Sequence, residues 1–340
     1  MKKKQVTLLE LAKRLNLSPS TVSRALNDRH RISETTRSRV KALAEELEYQ
    51  PNPSAKSLRE SKTYSLGVLV PEIAHNFFAT TISGIEKAAI AAGYNIMICQ
   101  SHESYEREKA ISYALLSSRV DGLLVCPSGE TQDFKHFAAF IRKDIPVVFF
   151  DRISMSFQAS KVVVNDFEGS RTAVEYLIRT GCRRIAHIAG PAPLSNSTER
   201  LNGYLAALET YNIPDDDTLI RHCDMTRAHA KQITEELLQL PVRPDALFTF
   251  NDNIAYDVIQ VVKKMGLRIP EDISIVGFSD QPMSEMIEPS LTSVSQPAYS
   301  IGEVAVKLMF EQLNAEDGQA PFRTEVLKTE LVVRDSTRKL

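Results

Sequence analysis

Near the N-terminus, Leu17–Asn27 (LSPSTVSRALN) spaces polar side chains along what reads as one helix face. Ser18 offers an N-cap hydroxyl, and Pro19 sits where the first turn tolerates a missing N–H. Val22 and Leu26 fall one turn apart and can pack inward. Pro19, Ser20, Ser23, Arg24 and Asn27 are then left outward, as short polar groups, one planar donor fork and an amide. Such a face suits the floor of a DNA major groove, where hydroxyls and a guanidinium reach base edges or phosphates. A capped helix with a polar face is otherwise an ordinary surface helix, so its neighbours decide.

A second set of groups follows the apolar runs along the chain. It comprises Phe77 and Phe78, Ser128, Asp151 and Arg152, Asn165 and Asp166, Asn196 and Arg200, Asn251 and Asp252, and Ser279 and Asp280. Ligands of open parallel sheets bind beyond the carboxyl ends of the strands, where these residues fall. Carboxylate, amide and guanidinium forks match the vicinal hydroxyls of a sugar, and aromatic faces cover its C–H side. Arg200 leads the set, at a helix start after the loop GPAPLSNSTER. Any one of these residues could be a cap or loop residue; the whole ring is harder to read that way.

Catalysis is not indicated. The chain has no GxGxxG after its first strand, no GxxxxGK[ST], no GxSxG and no HExxH. His222-Cys223-Asp224 resembles a metal set, but adjacent residues of an extended segment point to alternate sides, which reads as a strand edge. His187, inside the apolar run Ile185–Ala189, reads as a core histidine. No nucleophile is paired with an activator, and no cofactor is expected.

The elements that must position these groups begin with a capping box at Thr7-Leu8-Leu9-Glu10. Leu8, Leu11, Ala12 and Leu15 form the stripe of a first helix ending near Asn16, and the polar-faced helix follows after a short turn. Ser33 caps a third helix carrying Val40, Leu43, Ala44 and Leu47. Three short helices with a tightly joined pair make a helix-turn-helix unit. Pro51 and Pro53 then force an extended stretch, and Ser54 caps one turn carrying Ala55, Lys56 and Leu58. So short a helix is unstable alone and should order only when something holds it. Arg59–Thr63 reads as a linker.

From Tyr64 onward strands alternate with helices. The strand-like runs are Leu66–Val70, Asn95–Cys99, Gly122–Val125, Val147–Phe150, Val162–Val164, Ile185–Ala189, Ala246–Phe250 and Ile273–Val276. Helical stretches between them include Ser83–Ala92, Tyr105–Ser118, Gly169–Thr180, Arg200–Tyr211, His229–Leu240 and Ala255–Met265. Repeated βαβ units require parallel sheets, and the strands are too many for one. The expected fold is α/β: a helix-turn-helix headpiece plus two doubly wound parallel-sheet subdomains, with the first crossover near Asp151–Lys161.

At 340 residues the chain exceeds one ordinary domain, and its 43% hydrophobic and 25% charged content is that of a globular protein. Residues 1–62 carry 14 Lys+Arg against 7 Asp+Glu; the remainder carries 27 against 36, so a +7 head sits on a −9 body. Such a head meets a polyanion and the body does not. No run approaches the roughly 18–20 apolar residues needed to cross a bilayer. The start MKKKQVTLLELAKRL lacks a signal-peptide core, so no membrane partner is expected and the location is read as cytoplasmic. Cys99, Cys126, Cys182 and Cys223 are scattered without a CxxC pair, as buried reduced thiols would be.

Residues 6–58, through VTLLELAKRLNLSPSTVSRALN and TRSRVKALAEELEYQPNPSAKSL, resemble the headpiece of the LacI/GalR family of bacterial transcription regulators. The resemblance continues to about residue 335 through SLGVLVPEIAHNFF, RVDGLLV, VVNDFEG, GCRRIAHIAGP, ISIVGFSD and PSLTSVSQP, which are similar to that family's effector-binding core. It implies a repressor that binds a near-palindromic double-stranded DNA operator as a homodimer and senses a sugar or sugar derivative. Pro19, Ser20 and Arg24 would read bases, and Thr7, Ser18, Thr21, Ser23 and Asn27 would serve phosphates. Leu58 would be the minor-groove wedge, with Leu8, Ala55 and Lys56 completing the DNA-facing set. The effector set would be Phe77, Phe78, Ser128, Asp151, Asn196, Arg200, Asn251, Asp252 and Asp280.

The implied domains are residues 1–50 (headpiece), 51–63 (hinge helix and linker) and 64–340 (core). The core's subdomains would be 64–160 plus 294–322 and 161–293 plus 323–340, joined by three crossings. No leucine heptad follows Val333, so no helical tetramerising tail is expected. Two departures stand out. Pro19 has no donor for a base. Ser279 replaces an aspartate usual after Gly-Phe, so either Asp280 turns inward or the ligand differs from a plain monosaccharide. The alternative function is a non-enzymatic solute-binding protein of the periplasmic sugar-binding type, which shares the core but has no use for the basic head.

Overall fold

The computed structural model describes residues 6–26, 32–49, 62–154, 156–315 and 320–340. It divides into two compact units, 1–63 and 64–340. Asn27, Ala55, Lys56, Leu58 and the whole hinge turn lie outside the described residues.

The first unit holds α1 (Leu8–Leu15), α2 (Pro19–Leu26) and α3 (Glu34–Glu46). Side chains set each start. Thr7 Oγ1 accepts the Glu10 N–H at 3.3 Å, Ser18 Oγ that of Thr21 at 3.1 Å, and Ser33 Oγ that of Thr36 at 3.4 Å. Asn16 ends α1 in the left-handed region, φ 53°, which a short polar side chain tolerates. Leu11, Ala12, Val22, Ala25, Val40 and Ala44 form the buried centre, with Leu26 only partly buried beside them.

The second unit contains two six-stranded sheets. The first is ordered β2 (Asn95–Gln100), β1 (Ser65–Val70), β3 (Gly122–Val125), β4 (Val147–Phe150), β5 (Ser160–Val164) and β11 (Thr324–Leu327), all parallel. The second is β7 (Ile220–His222), β6 (Ile185–Ala189), β8 (Ala246–Thr249), β9 (Ser274–Ser279), β10 (Thr292–Ser295) and β12 (Glu330–Val332). Only β12 runs antiparallel in it. Apolar layers line both faces of each sheet.

This topology corrects the expected subdomain boundaries. Ser160–Val164 pairs with β4 and belongs to the first sheet, so the first crossing follows Val164 and not residue 160. Thr324–Leu327 also joins the first sheet, beside β5, and only Glu330–Val332 enters the second. The middle crossing follows Ser295, after β10 has paired with β9. Which sheet a short strand joins is decided by distant partners, and a local apolar pattern carries no record of them.

The helices start earlier than the apolar pattern predicts. The expected Ser83–Ala92, Gly169–Thr180, Arg200–Tyr211 and Ala255–Met265 become α4 (Asn76–Ala91), α7 (Asp166–Arg179), α8 (Ser195–Thr210) and α10 (Asp252–Lys264). Asn165 and Asn251 supply two of these starts, their Oδ1 atoms accepting from Glu168 N at 3.1 Å and Ile254 N at 3.0 Å. These extra turns, carrying Phe77 and Phe78 in α4 and polar residues in the other three, stand at the carboxyl ends of the strands. The remaining α-helices among the described residues are α5 (Tyr105–Ser117), α6 (Lys135–Ile141), α9 (Arg227–Leu238), α11 (Met283–Met286) and α12 (Ala298–Leu313). At the α4–α12 crossing the backbones touch: a Cβ on Gly84 would overlap the Tyr299 carbonyl, and one on Gly302 the Thr81 carbonyl.

His187 is a fully buried core side chain. Its ring stacks on Phe248 at 4.8 Å and Tyr204 at 5.2 Å, and Nδ1 lies 3.0 Å from the Phe248 carbonyl oxygen. Burial lowers its pKa to about 4, from an ordinary 6.5. Between those values the unfolded chain takes up a proton that the native ring refuses. The associated stability is therefore complete above pH 6.5 and is lost as pH falls towards 4. Urea unfolding across that window should show wild type losing roughly 3 kcal/mol more than His187→Gln. Identical pH profiles for the two proteins would contradict the assignment.

Candidate functional site

The carboxyl ends of the two sheets face one another across a cleft. Phe77 and Phe78, in the first turn of α4, meet edge to face at 5.3 Å, and His75 stacks on Phe78. Asp151 and Arg152 follow β4; Asn196 and Arg200 come from the first turns of α8. Phe250, Asn251 and Asn253 flank the start of α10, and Ser279, Gln281 and Gln296 close the far side.

Arg200 organises this wall. Its Nε donates to Asp166 Oδ1 at 2.7 Å and its Nη1 to the Phe250 carbonyl at 2.6 Å. The guanidinium carbon lies 3.7 Å from the Phe278 ring centroid and 4.6 Å from that of Phe250. Arg200 and Asp166 are both buried. Burial raises the Asp166 carboxyl to about 6, with Arg200 opposing and Asp151 adding to the shift. Asp151 is also raised by burial, against the pull of Arg152 and Arg200.

Opposite stands Arg152, whose two terminal nitrogens donate to the two Glu103 oxygens at 2.7 and 2.9 Å. Burial works against ionised Glu103, but this guanidinium and the Gly129 N–H outweigh it and lower its pKa. Three contacts among the described residues join the lobes here: Arg152 Nη2 to Met225 Sδ at 3.8 Å, Asn196 Nδ2 to Asp151 Oδ2 at 3.5 Å, and the Ile153 N–H to Ser195 Oγ at 3.1 Å. Asn196 Oδ1 and Gln296 Nε2 are buried without a partner, and Ser279 Oγ donates to Gln296 Oε1 at 2.9 Å. Unsatisfied buried groups are costly, and both of these residues line the cleft.

Of the expected effector residues, Phe77, Phe78, Asp151, Asn196, Arg200 and Asn251 are brought together here. Three are not. Ser128 is fully buried, with its N–H and hydroxyl both donating to Glu108 Oε2, at 2.6 and 2.7 Å. It lines an adjoining groove of about 950 Å³ that shares Asp151, Arg152 and Asn196 with this wall. Asp252 is fully buried and accepts from Ser293 Oγ, Gln281 N and Ser284 Oγ, bracing the loops behind the site. Asp280 turns away to Arg334 Nη1 at 2.7 Å, so Ser279 holds the cleft position.

Sequence reasoning missed His75, Met225, Phe250, Asn253, Gln281 and Gln296. Asn253 and Gln281 each follow a residue that was singled out, and Gln296 lies within the run PSLTSVSQP, one place before its end. Met225 follows β7, a three-residue strand with no readable pattern.

On the first unit, Ser18, Pro19, Ser20 and Arg24 are exposed on α2, with Thr21 and Ser23 half-buried. Ser18 Oγ also touches Ser20 Oγ at 2.9 Å and Thr21 Oγ1 at 2.8 Å, joining three hydroxyls. Leu8 is half-buried against the headpiece centre, and the Thr7 hydroxyl oxygen accepts the Glu10 N–H at its cap.

A trihelical head with one exposed polar helix, and a two-lobed α/β core closing on a polar cleft, define the class of ligand-responsive DNA-binding regulators. Residues 7–52 match the model for bacterial regulatory proteins of the lacI family, and residues 174–337 that for a periplasmic binding protein-like domain. The chain is 31% identical over 334 residues to the HTH-type transcriptional repressor PurR of Vibrio atlanticus, covering 98% of this chain and 99% of the relative. The lac repressor dimer bound to operator and the anti-inducer ONPF superposes with a TM-score of 0.88 at 27% identity, covering 99% of this chain and all of that one. A complex of the transcriptional regulator CelR with cellobiose gives 0.75 at 29%, covering 98% and 100%. The chain belongs to the lacI family of bacterial regulatory proteins and is a metabolite-responsive transcriptional repressor.

Removing Arg200 strands Asp166 as an unpaired buried carboxylate. Arg200→Met should lower unfolding free energy by about 3–5 kcal/mol in urea titration. Adding Asp166→Asn should return at least half of that. A double variant no more stable than the single one would refute the pairing.

Proposed function

We propose that the protein is a cytoplasmic, homodimeric repressor without catalytic activity, whose cleft takes a carbohydrate or sugar-bearing metabolite and whose α2 reads a twofold-symmetric operator. The observation that carries this reading is the convergence of Arg200, Asp151, Asn196 and Gln296 with the Phe77–Phe78 pair between two lobes. The lac repressor structure holds a dimer on operator, and CelR holds cellobiose, which supports both halves of the proposal. On the DNA side, Ser20 and Arg24 take the base-reading roles. Pro19 contributes shape or contact with a thymine methyl, since it lacks a donor. Thr7, Ser18, Thr21, Ser23 and Asn27 serve phosphates, and Leu58, with Ala55 and Lys56, contacts the minor groove.

In the cleft, Asp151 and Asn196 would take hydroxyls, Arg200 and Asn251 would donate, and the phenylalanines would cover the ring. Gln296 presents an unpartnered Nε2 beside Ser279, so the fit favours a ligand with an acceptor there. Closure of the lobes is tied to the headpieces by a coupling of roughly 1–3 kcal/mol.

The test is quantitative DNA binding by the purified protein to a selected operator, across salt and with a panel of sugars. The log–log salt slope should be about −0.9 per phosphate, summed over several phosphates. Arg24→Ala should cost about 1–3 kcal/mol at one operator position and relax specificity there. An effector from the panel should shift operator affinity in wild type and fail to do so in Asn196→Ala. No preference for a symmetric site over random duplex, with or without sugars, would end the proposal.

A further inference from the structure

The segment His222–His229 takes no part in the DNA-reading face, and only Met225 of it lines the cleft. On an extended strand, Cys223 and Asp224 would diverge. Here β7 ends at His222, and the chain turns into α9, capped by Thr226. That turn brings the next helix's His229 back beside the strand end. The Cys223 Sγ, an Asp224 carboxylate oxygen and a His229 ring nitrogen all lie within 4.8 Å of one another. His222 is not part of the group, since its Nδ1 sits 2.8 Å from the Gly190 carbonyl oxygen.

We propose that Cys223, Asp224 and His229 form a binding site for a divalent cation of the zinc class. Thiolate, imidazole and carboxylate are that ion's ligand set, and three protein ligands leave one position for water. Tetrahedral bonds of about 2.0–2.3 Å place donor atoms about 3.5 Å apart. His229 Nδ1 stands 3.3 Å from Asp224 Oδ1 and accepts the Asp224 N–H at 3.3 Å, a bond the ion would replace. Asp224 uses Oδ1 for the Thr226 N–H and hydroxyl, which leaves Oδ2 without a hydrogen bond among the described residues. Binding breaks the Cys223 S–H bond and forms an S–metal bond, and the proton leaves to solvent. The ion pins the turn from which Met225 reaches across the cleft to Arg152, and so touches the same closure that a cleft ligand uses.

The experiment is a Co²⁺ titration of full-length protein stripped with a chelator. One equivalent per chain should produce a thiolate-to-cobalt charge-transfer band and tetrahedral d–d absorption, both abolished by added Zn²⁺. Cys223→Ser should remove the charge-transfer band. His229→Gln leaves the buried cysteine in place, and should weaken Co²⁺ binding by at least the roughly tenfold that losing even a supporting partner costs. The site is overturned by no charge-transfer band at one equivalent, by an equal band in Cys223→Ser, or by wild-type affinity in His229→Gln. If Cys223→Ser does not fold, the His229→Gln affinity decides alone. Operator and sugar binding by the stripped protein are read separately, so loss of this site leaves the repressor assignment standing.

Discussion

A guanidinium held without solvent is the constraint around which the core is arranged. Arg200 on α8 is sandwiched by Phe250 after β8 and Phe278 on β9, and is neutralised by Asp166 at the start of α7. Desolvating an arginine is costly unless charge, hydrogen bonds and aromatic faces are all supplied together. Four elements therefore have to hold their positions for this one side chain to exist where it does. The same arrangement points the wall of the second lobe at the cleft, so structural and ligand-facing roles share one residue.

The opposite lobe solves the same problem with a different partner. Arg152 is buried beneath a two-pronged bond to Glu103, and its second nitrogen reaches Met225 on the far lobe. Behind each wall lies a buried carboxylate: Glu108 holding Ser128, and Asp252 holding the Gln281, Ser284 and Ser293 loops. Loops that carry ligand-binding groups need such bracing, because their own backbone bonding is sparse. The polar residues near the cleft thus divide into those that face it and those that hold the first group still.

Much was legible in the chain itself. Strict local rules apply to caps, so Thr7, Ser18 and Ser33 announced three helices, and α2 exposes Ser20 and Arg24 as a one-turn periodicity requires. The βαβ alternation required parallel sheets, and the position of polar residues after strands located six of the cleft's side chains. His187 was readable as core because an apolar run surrounds it on both sides.

Pairing over long distances was not legible. Whether Ser160–Val164 or Thr324–Leu327 joined one sheet or the other depended on partners more than ten residues away in the chain. Ser128, Asp252 and Asp280 carry the right chemistry at the right strand ends, yet Glu108, Ser293 and Arg334 claim them first. Hydrogen-bond competition is settled by which groups the fold brings within about 3 Å, and spacing along the chain does not encode that. Local sequence determined the elements, the capped and exposed helix, and the kinds of groups available. Tertiary structure alone decided which of those groups face the cleft, and that His229 comes back to Cys223.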